Sequence, residues 1–236
     1  MPGQVFLIPA VLSEEEIALQ TIPTYILQAV KQCEVFFVEN EKTARRFLKK
    51  LWKEMVIDDY KWYAIHKAEE EVRTHFVNHL KENKNIGIIS EAGCPGVADP
   101  GQILVNAAQE ISAVIHPLVG PSAILLSLMA SGMNGQFFQF LGYLPIDATE
   151  RKKVLRDLEA DSFKRNCTQI FIETPYRNNQ LIKDVLSTCK NETKFCIAAD
   201  ITSSTEIILT RSVGDWKKQT TPDIHKRPAM FLIYAQ

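Results

Sequence analysis

Residues 86–108 read IGIISEAGCPGVADPGQILVNAA, and the reading of this stretch decides the fold. The apolar run Ile86 to Ile89 predicts a strand buried on both faces. The segment from about Pro100 to Glu110 predicts a helix. Between them Gly93, Gly96 and Gly101, with Ala92 and Ala98, carry almost no side-chain bulk, so backbone N–H and C=O groups can meet a ligand directly. Asp99-Pro100 predicts the helix start, with Asp99 as N-cap and Pro100 at the first helical position. Such a loop lies at the carboxyl end of a strand, where ligands bind in open α/β sheets.

Outward from this stretch the same alternation recurs. Strands are predicted over 4–8, 35–38 and 62–65, and helices over 25–33, 42–52 and 69–81, the last with Val72, Phe76 and Leu80 on one face. A further strand is expected at 113–115. Strands alternating with helices imply right-handed βαβ crossovers and a mainly parallel sheet. After Gly120 the character changes to a helix of small and apolar residues over 121–131 and an aromatic strand over 137–143. Strands at 168–173, 195–200, 206–210 and 230–234 follow, with a helix at 179–188. Several of these connections are too short for a helix and require antiparallel neighbours, so a mixed sheet is expected. The predicted class is α/β, with an N-terminal domain over 1–117 and a C-terminal domain over 118–236.

The chain has 236 residues, 46% hydrophobic and 23% charged, enough to bury a core in one large domain or two small ones. Its net charge of -1 gives no global field to gather nucleic acid, so an RNA partner would need a local patch. Two basic clusters occur in helical stretches: Arg45, Arg46, Lys49, Lys50 and Lys53, and Arg151, Lys152, Lys153 and Arg156. Each taken alone is expected to be solvated helix surface. Five cysteines without a C-x-x-C pair argue against a disulfide framework and a zinc ribbon, and fit a reducing, cytoplasmic setting. The opening MPGQVFLIPAVLSEEE lacks a basic leader and reads as a first strand rather than a signal peptide. The apolar run 123–130 is too short to span a bilayer, so no membrane partner is expected.

Two further turns carry usable groups. Val119-Gly120-Pro121-Ser122-Ala123 opens a helix and could offer backbone and a hydroxyl to the same ligand. The segment Glu173 to Asn179 follows a strand and holds a carboxylate, an aromatic ring and a guanidinium, and its Tyr176 and Arg177 can stack on bases or pair with phosphate. No Walker-type or G-x-G-x-x-G loop and no G-x-S-x-G elbow is present, which argues against the common phosphate loops and against serine-hydrolase chemistry. His75 and His79, with Glu71 one turn earlier, have a metal-capable spacing, but no third and fourth ligands are evident and no metal is expected.

Taken in order, these segments resemble the tetrapyrrole methylase superfamily, and within it the ribosomal small-subunit methyltransferase I group. Ser90 to Pro95 and Asp99 to Gly101 resemble that group's S-D-A-G-T-P and S-D-P-G. Gly120 to Ala123 and Ala130 to Gly132 are similar to its G-P-S-A and A-S-G, and Phe140 to Pro145 to its F-x-G-F-L-P. Glu173 to Arg177 resembles E-S-P-H-R, and Ala198 to Glu206 resembles A-R-E-L-T-K-x-x-E. The resemblance implies two α/β domains with S-adenosylmethionine (SAM) in the cleft between them, a homodimer, and methyl transfer to a substrate. It implies cofactor contacts at Pro9, Gly93, Cys94, Val97, Pro121 and Ser122, and at Ile172, Ala199 and Ala229, many through backbone atoms.

In-line transfer from a sulfonium requires alignment and exclusion of water. A ribose hydroxyl acceptor would be helped by a base, for which Glu91, Asp99 and Glu173 are the candidate carboxylates, with Tyr176 and Arg177 as substrate contacts. The expected acceptor is a 2'-hydroxyl of small-subunit ribosomal RNA. A tetrapyrrole or other small-molecule acceptor, and a non-catalytic SAM- or RNA-binding module, stand as alternatives. The chain also departs from the group's pattern. Pro9 to Ser13 lacks glycine, Ala199 and Ser203 stand at basic positions, Tyr176 replaces histidine, and the sequence ends at Gln236 where the group continues into a helical piece. These departures are expected to weaken RNA contacts more than cofactor contacts.

Overall fold

Strand β1 (Val5–Ile8) leads through α1 (Ile26–Val30) to β2 (Val35–Val38), α2 (Glu41–Leu51), β3 (Lys61–Ala64), α3 (Glu69–Lys81), β4 (Ile86–Ile89), α4 (Gln102–Glu110) and β5 (Ile115–Pro117). The coordinates are a computed structural model that describes residues 2–65 and 69–236. These first elements belong to one of two units, Met1–Ser122. Its strands all run parallel, in the order β3-β2-β4-β1-β5. Every residue of β2 and β4 is buried, as uninterrupted apolar runs require when helices cover both faces.

The two faces are filled by different helices. Residues of α1 and α2 pack with Phe6, Ile8, Phe36 and Val38, while residues of α3 and α4 pack with Val5, Phe37, Ile86 and Ile88. Helix α2 starts where Asn40 Oδ1 accepts the N–H groups of Lys42 and Thr43, and Lys49 and Lys50 in its last turn complement the helix dipole. The chain leaving β1 goes to one face and the chain leaving its neighbour β4 goes to the other. Their carboxyl ends are therefore the switch point at which such a sheet opens a ligand crevice.

The second unit, Ala123–Gln236, holds α5 (Ala123–Ser131), β6 (Phe138–Tyr143), α6 (Ala148–Arg165), β7 (Thr168–Ile172), α7 (Asn178–Thr188), β8 (Lys194–Ala199), β9 (Ile207–Ser212), α8 (Val213–Lys217) and β10 (Ala229–Tyr234). Its sheet runs β6-β7-β10-β8-β9, with β6 and β7 parallel and the remaining pairs antiparallel, the mixed sheet that the short connections require. Leu155, Leu181, Val185 and Trp216 from α6, α7 and α8 bury against Phe171, Phe195 and Phe231. Trp216 Nε1–H donates to Phe195 O at 2.9 Å, which satisfies the buried indole. No helix among the described residues is long and apolar enough to cross a membrane.

Some local expectations shift. The division between units falls after Ser122, not after Pro117, because Leu118 N–H still donates to Leu7 O at 3.2 Å and extends the first sheet's bonding. The strand expected at 113–115 lies at Ile115–Pro117. Arg151, expected on a solvated face, is buried: Nε and Nη2 donate to Asp184 Oδ2 at 2.8 and 2.6 Å, and Nη1 donates to the carbonyls of Pro145 and Ile146 at 3.0 and 2.7 Å. A run of basic residues does not show which one turns inward when its acidic partner lies on another helix. Arg151→Met, which strands Asp184, is expected to lower the unfolding free energy by about 3–5 kcal/mol. Lys152, whose Nζ stands 3.8 Å from Asp184 with the side chain 41% exposed, is expected to contribute less than about 1 kcal/mol by the same Met substitution. Urea titration of both variants measures the contrast.

Candidate functional site

Three segments meet beyond the carboxyl ends of β1, β4 and β5. Ala10 and Gly93 form an isolated antiparallel bridge in which Ala10 N–H donates to Gly93 O at 2.9 Å and Gly93 N–H donates to Ala10 O at 3.1 Å. Gly93 is buried with φ of +75°, the left-handed region that disfavours any side chain. A Cβ there would also lie 3.4 Å from Pro121 O. The third segment is closer still, since a Cβ on Gly120 would fall 2.0 Å from Pro9 Cβ.

Cys94 joins the same corner, with Sγ 3.7 Å from Gly120 O and 3.5 Å from Pro121 O. Burial, and after it the charge of Asp99, push this thiol above its ordinary value, so it acts as a protonated donor to those carbonyls and not as a nucleophile. Pro9, Gly93, Cys94 and Pro121 are thus brought together, with Ser122 next in the chain. Val97 is exposed.

Asp99 is not the cap of α4. Gly101 takes that position without a side-chain bond, and the helix begins at Gln102. Both Asp99 oxygens accept the Gly96 N–H, at 2.9 and 3.0 Å, and Oδ1 also accepts the Gly101 N–H at 2.7 Å. The reason lies in the backbone: Gly96 at φ +81° and Ala98 at φ +61° fold the loop back until its own N–H reaches the carboxylate. Burial raises the Asp99 carboxyl above its ordinary value; the Gly101 and Gly96 N–H groups pull it down and the charge of Glu39 adds to the rise. Glu91 is exposed, and its N–H donates to Glu39 Oε2 at 2.9 Å.

The remaining expected contacts lie in the second unit and also cluster. Ile172 pairs with Met230 and Ala229 pairs with Ala199, which sets Ile172, Ala199 and Ala229 at one end of the adjacent strands β7, β8 and β10. Directly after Ile172, Glu173 is buried. Its Oε1 accepts Thr174 N–H and Arg177 Nη2–H, both at 2.6 Å, while its buried Oε2 has no partner. Arg177, expected to hold phosphate, is engaged by Glu173 at this nitrogen.

Tyr176 is exposed, with Lys226 Nζ 5.7 Å from the ring centre and the His225 ring at 6.0 Å. Lys226 N–H donates to Pro175 O at 2.9 Å, and Arg227 Nε donates to Asp200 Oδ2 at 2.7 Å. The sequence reading passes over these partners; its available signal is the run His225-Lys226-Arg227-Pro228 immediately before the last strand. Both spaced histidines lie against Tyr63: His79 Nε2 faces its hydroxyl at 3.0 Å and the His75 ring stacks on its ring at 5.1 Å. No group of three or more His, Cys, Asp or Glu able to hold a metal occurs among the described residues.

The profile of the family described as Tetrapyrrole (Corrin/Porphyrin) Methylases matches residues 22–216. The chain belongs to this family. Among curated relatives of this tetrapyrrole methylase, "Ribosomal RNA small subunit methyltransferase I" of Buchnera aphidicola subsp. Schizaphis graminum is 36% identical over 146 residues, which is 61% of this chain and 50% of the relative. The Bacillus subtilis protein of the same name is 35% identical over 151 residues, 64% of this chain and 46% of the relative. The chain spans about half the length of the curated relatives it matches.

Among solved structures, the methyltransferase CobJ superposes with a TM-score of 0.65 over 99% of this chain and 94% of its own, at 15% identity. Uroporphyrin-III C-methyltransferase from Thermus thermophilus, complexed with S-adenyl homocysteine, gives 0.56 over 98% and 97% at 16% identity. The tetrapyrrole methylase fold expected from the motifs is the fold observed. Within it, Gly120→Ala is expected to force Pro9 and its neighbours apart and to destabilise the protein by about 1–3 kcal/mol. Gly135→Ala, whose Cβ would meet nothing within 4 Å, is the matched control in thermal unfolding.

Proposed function

We propose that this tetrapyrrole methylase is a SAM-dependent methyltransferase that modifies a ribose 2'-hydroxyl of small-subunit ribosomal RNA, working as a cytoplasmic homodimer. The observation that carries the reading is the Ala10–Gly93 bridge, which holds three small-residue turns at the ligand end of the first sheet, in a chain whose curated relatives are named "Ribosomal RNA small subunit methyltransferase I". The residues present fit the cofactor. Gly93 and Gly120 sit where side chains are excluded, so the main chain itself forms the surface, and Cys94 presents a neutral thiol beside it. Pro9, Gly93, Cys94, Val97, Pro121 and Ser122 would hold SAM, and a cofactor contact is proposed also for Ile172, Ala199 and Ala229. When bound, SAM supplies an activated methyl on a sulfonium.

The chain's own task is alignment, exclusion of water and removal of the acceptor's proton. Asp99 shapes the loop, because its oxygens are already held by backbone donors. Glu173 is the better proton acceptor: Arg177 and Thr174 orient it through Oε1, and Oε2 is left to take a hydroxyl proton. The exposed Tyr176 ring offers a stacking platform for a base. Exposed Leu125 and Met129, four apart on α5, and exposed Phe138, Leu141 and Tyr143 on edge strand β6 support a subunit interface. Five free thiols support a reducing compartment.

Calorimetric titration with SAM is expected to show binding, and tritiated methyl transfer is expected to label small ribosomal subunits lacking the modification. Absence of SAM binding at millimolar cofactor would sink the reading. Label entering tetrapyrroles or other small molecules but not subunits would replace RNA as the acceptor. Glu173→Gln is expected to lower kcat by about 10²–10⁴ with SAM affinity unchanged.

A further inference from the structure

A pocket of about 130 Å³ opens in the first unit between the segment after β1, the first residues after β4, and α2. None of the residues proposed for cofactor contact lines it. Its polar lining includes Ser13, Glu14, Thr43, Arg46, Lys50 and Glu91. We propose that this pocket binds one phosphodiester of the RNA substrate, with the Glu14 carboxylate occupying the phosphate's place until RNA displaces it; the inference rests on the RNA reading given above.

The basic cluster around α2 is divided by its contacts. Arg45 pairs with Glu41 at 2.9 Å and lies over the Trp62 ring at 5.0 Å. Lys49 Nζ donates to the carbonyls of Lys53 and Met55. Arg46 and Lys50, one helical turn apart, instead face the pocket, and both are held by Glu14. Arg46 Nη1 donates to the two carboxylate oxygens at 3.2 and 3.1 Å, and Lys50 Nζ donates to the Glu14 carbonyl at 2.9 Å.

This hold is weak. The Glu14 side chain is 80% exposed and that of Arg46 44%, so solvent screens the pair and it contributes little. A guanidinium that grips a carboxylate presents the same donors to phosphate oxygens. The Ser13 hydroxyl, which accepts the Glu15 N–H at 3.2 Å, adds a neutral donor, whereas the Thr43 hydroxyl already donates to Asn40 O at 3.1 Å. With Glu14 in place the charged lining is two cations against two carboxylates; with Glu14 displaced, Arg46 and Lys50 face Glu91 alone, leaving one net positive charge. That matches a phosphodiester, which carries one negative charge, better than a terminal phosphate, which carries nearly two at neutral pH. It also supplies the local patch that a chain of net charge -1 needs in order to hold RNA.

The test is fluorescence anisotropy of a short labelled single-stranded RNA without terminal phosphate, titrated with the full chain across a salt series, with SAM affinity measured calorimetrically in parallel. The Arg46→Ala/Lys50→Ala variant is expected to bind RNA about tenfold more weakly, with its salt slope reduced by about 0.7, the increment of one phosphate on a single strand. Glu14→Gln is expected to bind several-fold more tightly, and SAM affinity is expected to stay unchanged in both. Equal RNA affinity and slope in wild type and the double variant would overturn the inference while leaving the RNA reading standing. No RNA binding at low salt by wild type or Glu14→Gln, with SAM binding intact, would overturn both. If the double variant fails to fold, the exposed Glu14→Gln decides alone, and unchanged affinity there overturns the inference.

Discussion

The two hydrogen bonds between Ala10 and Gly93 are the constraint on which the site depends. A parallel sheet fixes where its strands end but not how the loops beyond them stand. Here the loop after β4 is tied to the chain after β1 as though it were one further rung of sheet. That rung favours glycine at 93, because its φ is positive. Once it is formed, the turn after β5 can close on Pro9 only if residue 120 also lacks a side chain. Cys94 and Asp99 then complete the corner with contacts to carbonyls and N–H groups inside the first unit.

Much of this was legible in the sequence, for a physical reason. Uninterrupted apolar runs such as Ile86 to Ile89 and Val35 to Val38 read as buried strands because both faces must be covered. The small-residue loops read either as ligand-facing or as tight turns, and the positive φ at Gly93 and the close approach of Pro9 to Gly120 account for both glycines within the fold. What escaped were a local backbone conformation and contacts made at a distance along the chain. Asp99 looked like a helix cap from its place before Pro100, yet the positive φ of Gly96 and Ala98 turned the loop's own N–H to it. Arg151 looked solvated because Asp184 lies on another helix. The residues around Tyr176 were hidden for the same reason, since His225 and Lys226 come close to it only through the turn before β10.

The three carboxylates singled out by the sequence have different surroundings and therefore different chemistry. Asp99 accepts the Gly96 and Gly101 N–H groups and holds loop shape. Glu91 is exposed and contributes charge to the pocket beside α2. Glu173 combines burial and a fixed orientation with an oxygen that has no partner, and its proposed role as proton acceptor rests on that combination. The basic residues divide in the same way: Arg151 and Arg227 are tied to Asp184 and Asp200, whereas Arg46 is held by the exposed Glu14 carboxylate, which an anion can replace, and Lys50 by the Glu14 main-chain carbonyl.

The central claim is that the bridged corner of the first unit is the cofactor's wall. Hydrogen–deuterium exchange of the full chain with and without S-adenosylhomocysteine tests it most directly, because the claim concerns backbone groups. The account predicts slowed exchange in residues 9–12, 90–98 and 118–123, with α3 unchanged. Ligand binding that leaves those three segments unprotected, or that protects α3 in their place, would contradict it.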